Sequence, residues 1–427
     1  MNICVVALGK IGLPLAVQFA SKGHRVIGAD VSERVVQLVN DGAVPFPGET
    51  DLDVKLKEAV AAGLLSATTD TTAAVAESEA VVVVVPLFVD AEGVPDFGWM
   101  DDATRAIAAG LKPGTLVSYE TTLPVGTTRD RWAPMLQEGS GLTAGKDFHL
   151  VFSPERVLTG RVFADLRRYP KLVGGVDEAS GEHGVRFYEA VLDFDERPDL
   201  DRPNGVWDLG SAEASELAKL AETTYRDVNI GLANQFARFA DTVGVDVTKV
   251  IEACNTQPYS HIHSPGIAVG GHCIPVYPRM YLWNDPAATV VRSAREANVA
   301  MPEYAVDLLA AAYGDLTGVG VLVLGAAYRG GVKETAFSGV FPTVEALRRR
   351  GATPYVTDPM YTNEELVAHG LPGYAGEPVG AAVVQADHAE YRTLAPADLP
   401  GVTVLVDGRR VTDPDRWTGV RRVVIGG

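Results

Sequence analysis

A chain of 427 residues is too long for one ordinary compact domain, and its 47% hydrophobic content is ample for a sizeable core. A formal net charge of −18 and a pI near 4.9 exclude nonspecific binding to nucleic acid or to an anionic membrane, both of which need a basic surface. Cys4, Cys254 and Cys273 are too few and too widely spaced for a disulfide framework, no basic leader precedes the first apolar run, and runs such as residues 80–86 fall well short of the ~20 residues a membrane helix needs, so a cytoplasmic protein is expected.

In chain order, Ile3-Cys4-Val5-Val6-Ala7 reads as a buried strand. Residues 14–21 read as a helix after a glycine turn, and Arg25-Val26-Ile27-Gly28-Ala29 as a second strand ending at Asp30. The alternation continues through Ala80-Val81-Val82-Val83-Val84-Val85 and Leu116-Val117-Ser118-Tyr119. Continuous apolar strands between amphipathic helices predict a parallel sheet covered on both faces, placed here at residues 1–200. From about residue 211 to 255 the pattern is of long helices: Ala214, Leu217, Ala221 and Tyr225 recur at helical spacing, as do Ile230, Ala233, Phe236 and Ala237. This middle segment, residues 201–310, fits either a dimer-forming spine or an ordinary core helix. A second α/β unit, residues 311–427, opens at Val319-Gly320-Val321-Leu322-Val323-Leu324-Gly325. It continues through a helix near residues 343–350 and a strand ending Val356-Thr357-Asp358-Pro359, and closes on the strand leading to Asp407-Gly408-Arg409. The fold class is α/β, two doubly wound domains joined by a central long-helix region.

The turn Ala7-Leu8-Gly9-Lys10-Ile11-Gly12 stands between the first strand and the first helix, where a dinucleotide fold places its pyrophosphate. Gly9 and Gly12 let the backbone approach phosphate and pack the helix on the strand, although Ala7 replaces the first glycine of the usual pattern. Asp30, ending the second strand, suits a ribose diol and repels a 2′-phosphate, which selects NAD over NADP.

Gly270-Gly271-His272-Cys273-Ile274-Pro275 sets a thiol in a glycine-rich loop beside a histidine, a setting that exposes and activates a thiolate. Most single cysteines are small buried hydrophobes, so the loop alone is modest evidence. His261, His263, His272 and Cys273 have donor types that suit zinc. They lie along an irregular segment without compact ligand spacing or accompanying carboxylates, so no metal is expected.

Several blocks in order resemble one family along essentially the whole chain. They are Leu8-Gly9-Lys10-Ile11-Gly12-Leu13-Pro14, Thr121-Thr122-Leu123-Pro124-Val125-Gly126-Thr127-Thr128 and Phe152-Ser153-Pro154-Glu155-Arg156-Val157. Glu216 through Lys219, Tyr225-Arg226-Asp227-Val228-Asn229-Ile230, the Cys273 loop and Asp407-Gly408-Arg409 follow. The family is that of the nucleotide-sugar dehydrogenases, which includes UDP-glucose and UDP-N-acetylmannosamine dehydrogenases. The Pro-Glu-Arg-Val and Arg-Asp-Val-Asn-Ile segments are similar to its N-acetylhexosamine branch.

The resemblance implies two Rossmann-like domains, a homodimer through the central helices, and four-electron oxidation of a sugar C6 alcohol to a carboxylate with two NAD⁺. It implies that Cys273 carries a thiohemiacetal and then a thioester, and that Lys219 and Thr223 oppose oxyanion charge. Thr122 and Glu155 are implied to position water and handle its proton. Cofactor contacts are implied for Gly9, Lys10, Ile11, Gly12, Asp30, Pro86 and Thr122. Substrate contacts are implied for Glu155, Arg156, Val157, Lys219, Arg226, Gly270, Tyr277 and Arg329.

The chain departs from the family at four points. Thr223 stands where many relatives have Asn, Tyr277 where many have Asp, Arg329 where a Lys is usual, and Ala336 where an Arg grips the nucleotide. Three functions therefore stay open: a UDP-N-acetylhexosamine dehydrogenase, a dehydrogenase of another sugar nucleotide such as UDP-glucose, and a non-catalytic relative that binds NAD and a sugar nucleotide.

Overall fold

The computed structural model describes residues 1–90 and 92–427, which fall into two units, Met1–Ala221 and Glu222–Gly427. In the first unit the strands are β1 (Asn2–Val6), β2 (Arg25–Ala29), β3 (Leu65–Thr68), β4 (Ala80–Val83), β5 (Phe88–Val89), β6 (Pro95–Asp96), β7 (Leu116–Tyr119), β8 (His149–Phe152), β9 (Lys171–Gly175) and β10 (Val206–Asp208). Eight of them form one sheet in the order β10-β9-β8-β7-β4-β1-β2-β3. All neighbours in it run parallel except β8 and β9, and β5 and β6 pair as a separate hairpin.

Both faces of this sheet are covered. Ile3, Val5, Ala80 and Val82 enter one apolar cluster while Cys4, Val6, Val81 and Val83 enter another, the period of two expected of a doubly covered strand. Cys4 is a core residue there, and burial pushes its thiol up to about 12. The chain moves from β1 outward through β2 and β3, then returns to lay β4, β7 and β8 on the other side. The switch point of the sheet is therefore at β1, whose C-terminal end leads into the Gly9–Gly12 turn.

The first helix is Gly12–Ser21, beginning two residues earlier than its apolar pattern suggests, because Leu13 N–H already bonds to Gly9 O at 3.1 Å. Pro14 thus lies in the first turn, where its missing N–H costs nothing. The long helical region resolves into Ala212–Val243 and Val247–Cys254. Gly244, at φ +71°, ends the first, and the Asp246 side chain caps the second by accepting from Thr248 N–H.

The polarity of the Ala212–Val243 helix is inverted along its first half. Its buried side carries Ser215, Glu216, Lys219, Thr223, Thr224 and Asp227, while Leu217 and Tyr225 of the apolar stripe are 44% and 54% exposed. An inward polar face is costly unless its groups find partners, as Glu216 and Lys219 do in the loops packed on it.

In the second unit β11 (Gly320–Leu324), β12 (Thr353–Thr357), β13 (Ala381–Val384), β14 (Val404–Asp407) and β15 (Arg421–Val424) form an all-parallel sheet ordered β12-β11-β13-β14-β15. Val321 and Val323 enter one apolar cluster and Leu322 and Leu324 another, so this sheet too is covered on both faces. The helix expected near residues 343–350 is Val340–Arg349. No helix among the described residues is long and apolar enough to cross a membrane.

Candidate active site

The turn after β1 is built to admit a dinucleotide. Ala7 adopts φ +75°, the left-handed conformation that glycine holds without strain at this point of the usual fingerprint. A Cβ on Gly12 would fall 1.9 Å from Ala7 O and 2.6 Å from Val84 Cγ2, so only glycine lets the helix start sit this close to β1. Gly9 is the opposite case: a Cβ there would meet nothing within 4 Å, leaving an open cradle above the turn. Ile11 stands at the helix N-cap without a side-chain hydrogen bond, so the helix end is open to an incoming anion, and Lys10 beside it is exposed.

Asp30 accepts from Leu8 N–H on Oδ2 at 2.8 Å and from Ser32 N–H on Oδ1 at 2.9 Å. Each oxygen keeps lone-pair capacity for a ribose diol, so the residues present fit NAD. Pro86, just past Val85, is exposed at the same C-terminal edge of the sheet, since Val84 N–H bonds to Val6 O at 3.0 Å.

Two loops of the first unit are fixed to the inward polar face of the Ala212–Val243 helix. Glu216, fully buried, accepts from Gly126 N–H at 2.6 Å, Thr128 N–H at 2.9 Å and Thr128 Oγ1 at 2.7 Å. It thereby clamps the segment that carries the buried Thr122, while Thr121 Oγ1 ties the same segment to Val85 O at 2.7 Å. Burial pushes Glu216 up to about 7 against the pull of these donors. Less than one turn further on, Lys219 is 6% exposed and its Nζ donates to Glu155 O at 2.7 Å.

The Glu155 carboxylate accepts from Arg156 N–H at 2.7 Å and from Lys171 Nζ at 3.0 Å. Although burial works to raise its pKa, the Lys171 charge and these hydrogen bonds hold Glu155 below the ordinary carboxylate range. Arg156 Nη1 donates to Pro170 O at 3.3 Å, and Val157 packs against the apolar cluster under the first helix. Lys171 also donates to the fully buried Glu120 at 2.6 Å.

In the second unit Cys273 is half-buried in a loop shaped by its glycines. Gly271 adopts φ +91° and its N–H bonds to Ala336 O at 2.9 Å; a Cβ on Gly270 would sit 2.6 Å from Tyr328 Cβ. Cys273 O accepts from Val276 N–H and Tyr277 N–H at 3.2 and 2.9 Å, which starts the helix Tyr277–Asn284. Tyr277 is therefore the first residue of that helix. His272 Nε2 lies 3.5 Å from Glu334 Oε2. Arg329 is exposed, with its guanidinium 5.8 Å from the Tyr328 ring centroid. Arg226 lies 3.7 Å from Glu222, one turn back on the helix, and the fully buried Thr223 shares that stretch. Asp227 pairs with Arg295 at 2.8 Å and accepts from Asn298 Nδ2 at 2.7 Å, and Asn298 Oδ1 in turn accepts from Asn234 Nδ2 at 2.8 Å.

Asp358 ends β12 as Asp30 ends β2, but it is buried and its Oδ2 is crowded with donors. Ala326 N–H, Ala327 N–H and His388 Nε2 converge on Oδ2 at 2.7, 3.1 and 3.0 Å, and Met360 N–H takes Oδ1 at 2.8 Å. The second sheet thus repeats the topology, with a buried carboxylate at the position where Asp30 stands partly exposed. Among the described residues no group of three or more His, Cys, Asp or Glu side chains is arranged to hold a metal ion.

The roles of Glu120, Lys171 and Glu216 have no counterpart in the spacing rules that single out the glycine turn. For Glu120 and Lys171 the only sequence mark is a charge at a strand edge, whereas Glu216 opens one of the blocks that carry the resemblance.

Comparison with known proteins matches the chain to three models of one family. The NAD binding domain of the UDP-glucose/GDP-mannose dehydrogenase family matches residues 1–192, its central domain residues 213–300, and its UDP binding domain residues 322–414. The UDP-N-acetyl-D-mannosamine dehydrogenase of Pyrococcus horikoshii is 34% identical over 424 residues, 96% of each chain. The NDP-N-acetyl-D-galactosaminuronic acid dehydrogenase of Ralstonia nicotianae is 36% identical over 314 residues, 72% of this chain and 70% of that one. A solved structure of the Pyrococcus horikoshii enzyme superposes with a TM-score of 0.87 at 32% identity, covering 100% of this chain and 99% of that one.

Proposed function

Because the chain belongs to the UDP-glucose/GDP-mannose dehydrogenase family, an NAD-dependent oxidoreductase family, we propose that it oxidises the C6 alcohol of a UDP-N-acetylhexosamine to the uronic acid. The carrying observation is the buried Lys219 with its Nζ 2.7 Å from Glu155 O, which joins a fixed positive charge to the residue read as the base. The choice of an N-acetylhexosamine rests on the relatives from Pyrococcus horikoshii and Ralstonia nicotianae.

Gly9, Lys10, Ile11, Gly12, Asp30, Pro86 and Thr122 would hold NAD⁺, which when bound would supply the hydride acceptor for each of two oxidations. Glu155 takes the proton of the C6 hydroxyl in the first, and Lys219 opposes the charge that gathers on the oxygen. Cys273 Sγ then adds to the C6 carbonyl carbon, giving a thiohemiacetal whose remaining C6 hydrogen can leave as hydride and so become a thioester. Once Glu155 has released that first proton to solvent, water placed by Thr122 gives a proton to it as the water oxygen bonds to C6, and the C–S bond breaks to release the carboxylic acid and the Cys273 thiolate. Thr223 supplies a hydroxyl donor toward the oxyanion. Arg156, Val157, Arg226, Gly270, Tyr277 and Arg329 bind the sugar nucleotide.

A second reading, a UDP-hexose without the acetamido group, draws on Ala336, which cannot make the guanidinium contact of an arginine. The exposed Leu232, Phe236, Phe239 and Val243 form one stripe of the long helix and fit the homodimer we propose. Three free cysteines fit a cytoplasmic setting.

The test is NADH yield over a panel of UDP-sugars. Two NADH per sugar with a UDP-N-acetylhexosaminuronic acid as product support the proposal. A preference for UDP-glucose moves the assignment to the second reading, and an aldehyde product with one NADH per sugar refutes the four-electron route.

A further inference from the structure

Behind Glu155 lies a closed set of buried polar groups to which the proposed reaction assigns no part. Glu120, immediately after β7, is fully buried. Its Oε2 accepts from Lys171 Nζ at 2.6 Å and its Oε1 from Tyr188 OH at 2.6 Å, and that hydroxyl lies 2.7 Å from Ser118 Oγ. Lys171, at the start of β9, is 5% exposed, divides its ammonium between Glu120 and Glu155, and lies 4.8 Å from the Tyr188 ring centroid. The charged and titratable groups facing Glu120 are Lys171 from β9, Glu155 from the segment after β8, and Tyr188 from the helix Glu178–Val191.

Two carboxylates share the Lys171 ammonium in a largely buried space, and the more deeply buried of them, Glu120, gains by taking up one proton. Burial pushes Glu120 up to about 7, whereas Glu155, raised by burial, is held low by Lys171 and the Arg156 N–H. The two carboxylates therefore divide the labour, one storing the proton and the other kept ionised.

We propose that Glu120 is a positioning residue for the base, which by holding or releasing one proton sets how much of the Lys171 charge Glu155 feels. The inference rests on the reading of Glu155 as the base. With a proton on Glu120, Lys171 pairs with Glu155 alone and keeps it a weak base. With Glu120 ionised, Lys171 is shared and a second negative charge strengthens Glu155. When Glu155 then takes a proton from the attacking water, the set again carries one added proton, now on Glu155 instead of Glu120, and the water oxygen bonds to C6.

The test compares the pH dependence of kcat for the parent, Glu120→Gln and Glu155→Gln. In the parent, kcat should rise with pH through an acidic limb as Glu120 gives up its proton. Glu120→Gln keeps an acceptor for Tyr188 and should lose that limb, with kcat at high pH down about tenfold and both KM values within about twofold. If Glu155→Gln is impaired but Glu120→Gln keeps the limb, the role of Glu120 is overturned and the base assignment stands. If Glu155→Gln works at the parental rate, the base assignment itself fails. Should Glu120→Gln not fold, infrared titration of the parent decides: a buried protonated carboxyl band lost on raising the pH through about 7 supports the inference, and its absence at lower pH overturns it.

Discussion

Gly9 and Gly12 lie in one turn and make opposite predictions when each is replaced by alanine. At Gly12 the new methyl would fall 1.9 Å from Ala7 O and 2.6 Å from Val84 Cγ2, one of them backbone and unable to rotate away. Restoring an ordinary 3.4 Å separation would require the helix start to retreat by about 1.5 Å from β1. Overpacking of this kind costs ~1–3 kcal/mol, and it also moves the helix-end N–H groups away from the phosphate position. Gly12→Ala should therefore lower both thermal stability and NAD affinity. At Gly9 the methyl would meet nothing within 4 Å, so stability should stay within about 0.5 kcal/mol of the parent. The same methyl would fill the cradle, and the NAD Kd should rise at least about tenfold, or ~1.4 kcal/mol. Differential scanning calorimetry and titration calorimetry separate the two effects. Parental NAD affinity in a folded Gly9→Ala protein would refute the placement of the pyrophosphate, and unchanged stability in Gly12→Ala would refute the packing argument.

Ala7→Gly removes a side chain from a φ +75° position and should stabilise the first unit by ~0.5–1 kcal/mol in chemical denaturation; a loss of stability would show that the turn is not strained. Glu216 is buried and pushed up to about 7 by that burial, so the folded chain keeps a proton that the unfolded chain releases near pH 4.5. Stability contributed at this site is therefore greatest at low pH and falls between about pH 4.5 and 7; relative to Glu216→Gln, the parent should lose ~1–3 kcal/mol across that window. A flat difference would contradict the burial effect. If the proposed homodimer forms through the stripe where Phe239 is 64% exposed, Phe239→Glu should sediment as a monomer at concentrations where the parent sediments as a dimer; a dimer unaltered by the substitution would move the interface elsewhere.

The sheets and the cofactor turn are legible in the sequence because they obey short periods. β1, β2, β4 and β7 are apolar runs, and glycines punctuate the turn where backbone must approach backbone. The long helix is legible as a helix but not in its orientation. Leu217 and Tyr225 look like a core stripe and are exposed, while Glu216 and Lys219 look like a solvated face and are buried. Hydrophobic periodicity assigns the wrong side wherever polar groups are buried for their partners. Glu120 and Lys171 meet only because β7, β8 and β9 are neighbours in the sheet, a contact no local spacing encodes. Asp358 is the clearest limit: it echoes Asp30 in position, and only the folded chain brings His388 onto the carboxylate.

Cys273 is proposed to carry the sugar through the second oxidation. Intact-mass analysis during turnover of the preferred UDP-sugar, in the parent and in Cys273→Ser, tests it most directly. The account predicts a transient sugar-nucleotide adduct on the Cys273 peptide of the parent, and a Cys273→Ser protein that forms no such adduct and releases uronic acid at least about a hundredfold more slowly. Uronic acid released by Cys273→Ser at the parental rate, with two NADH per sugar, would contradict it.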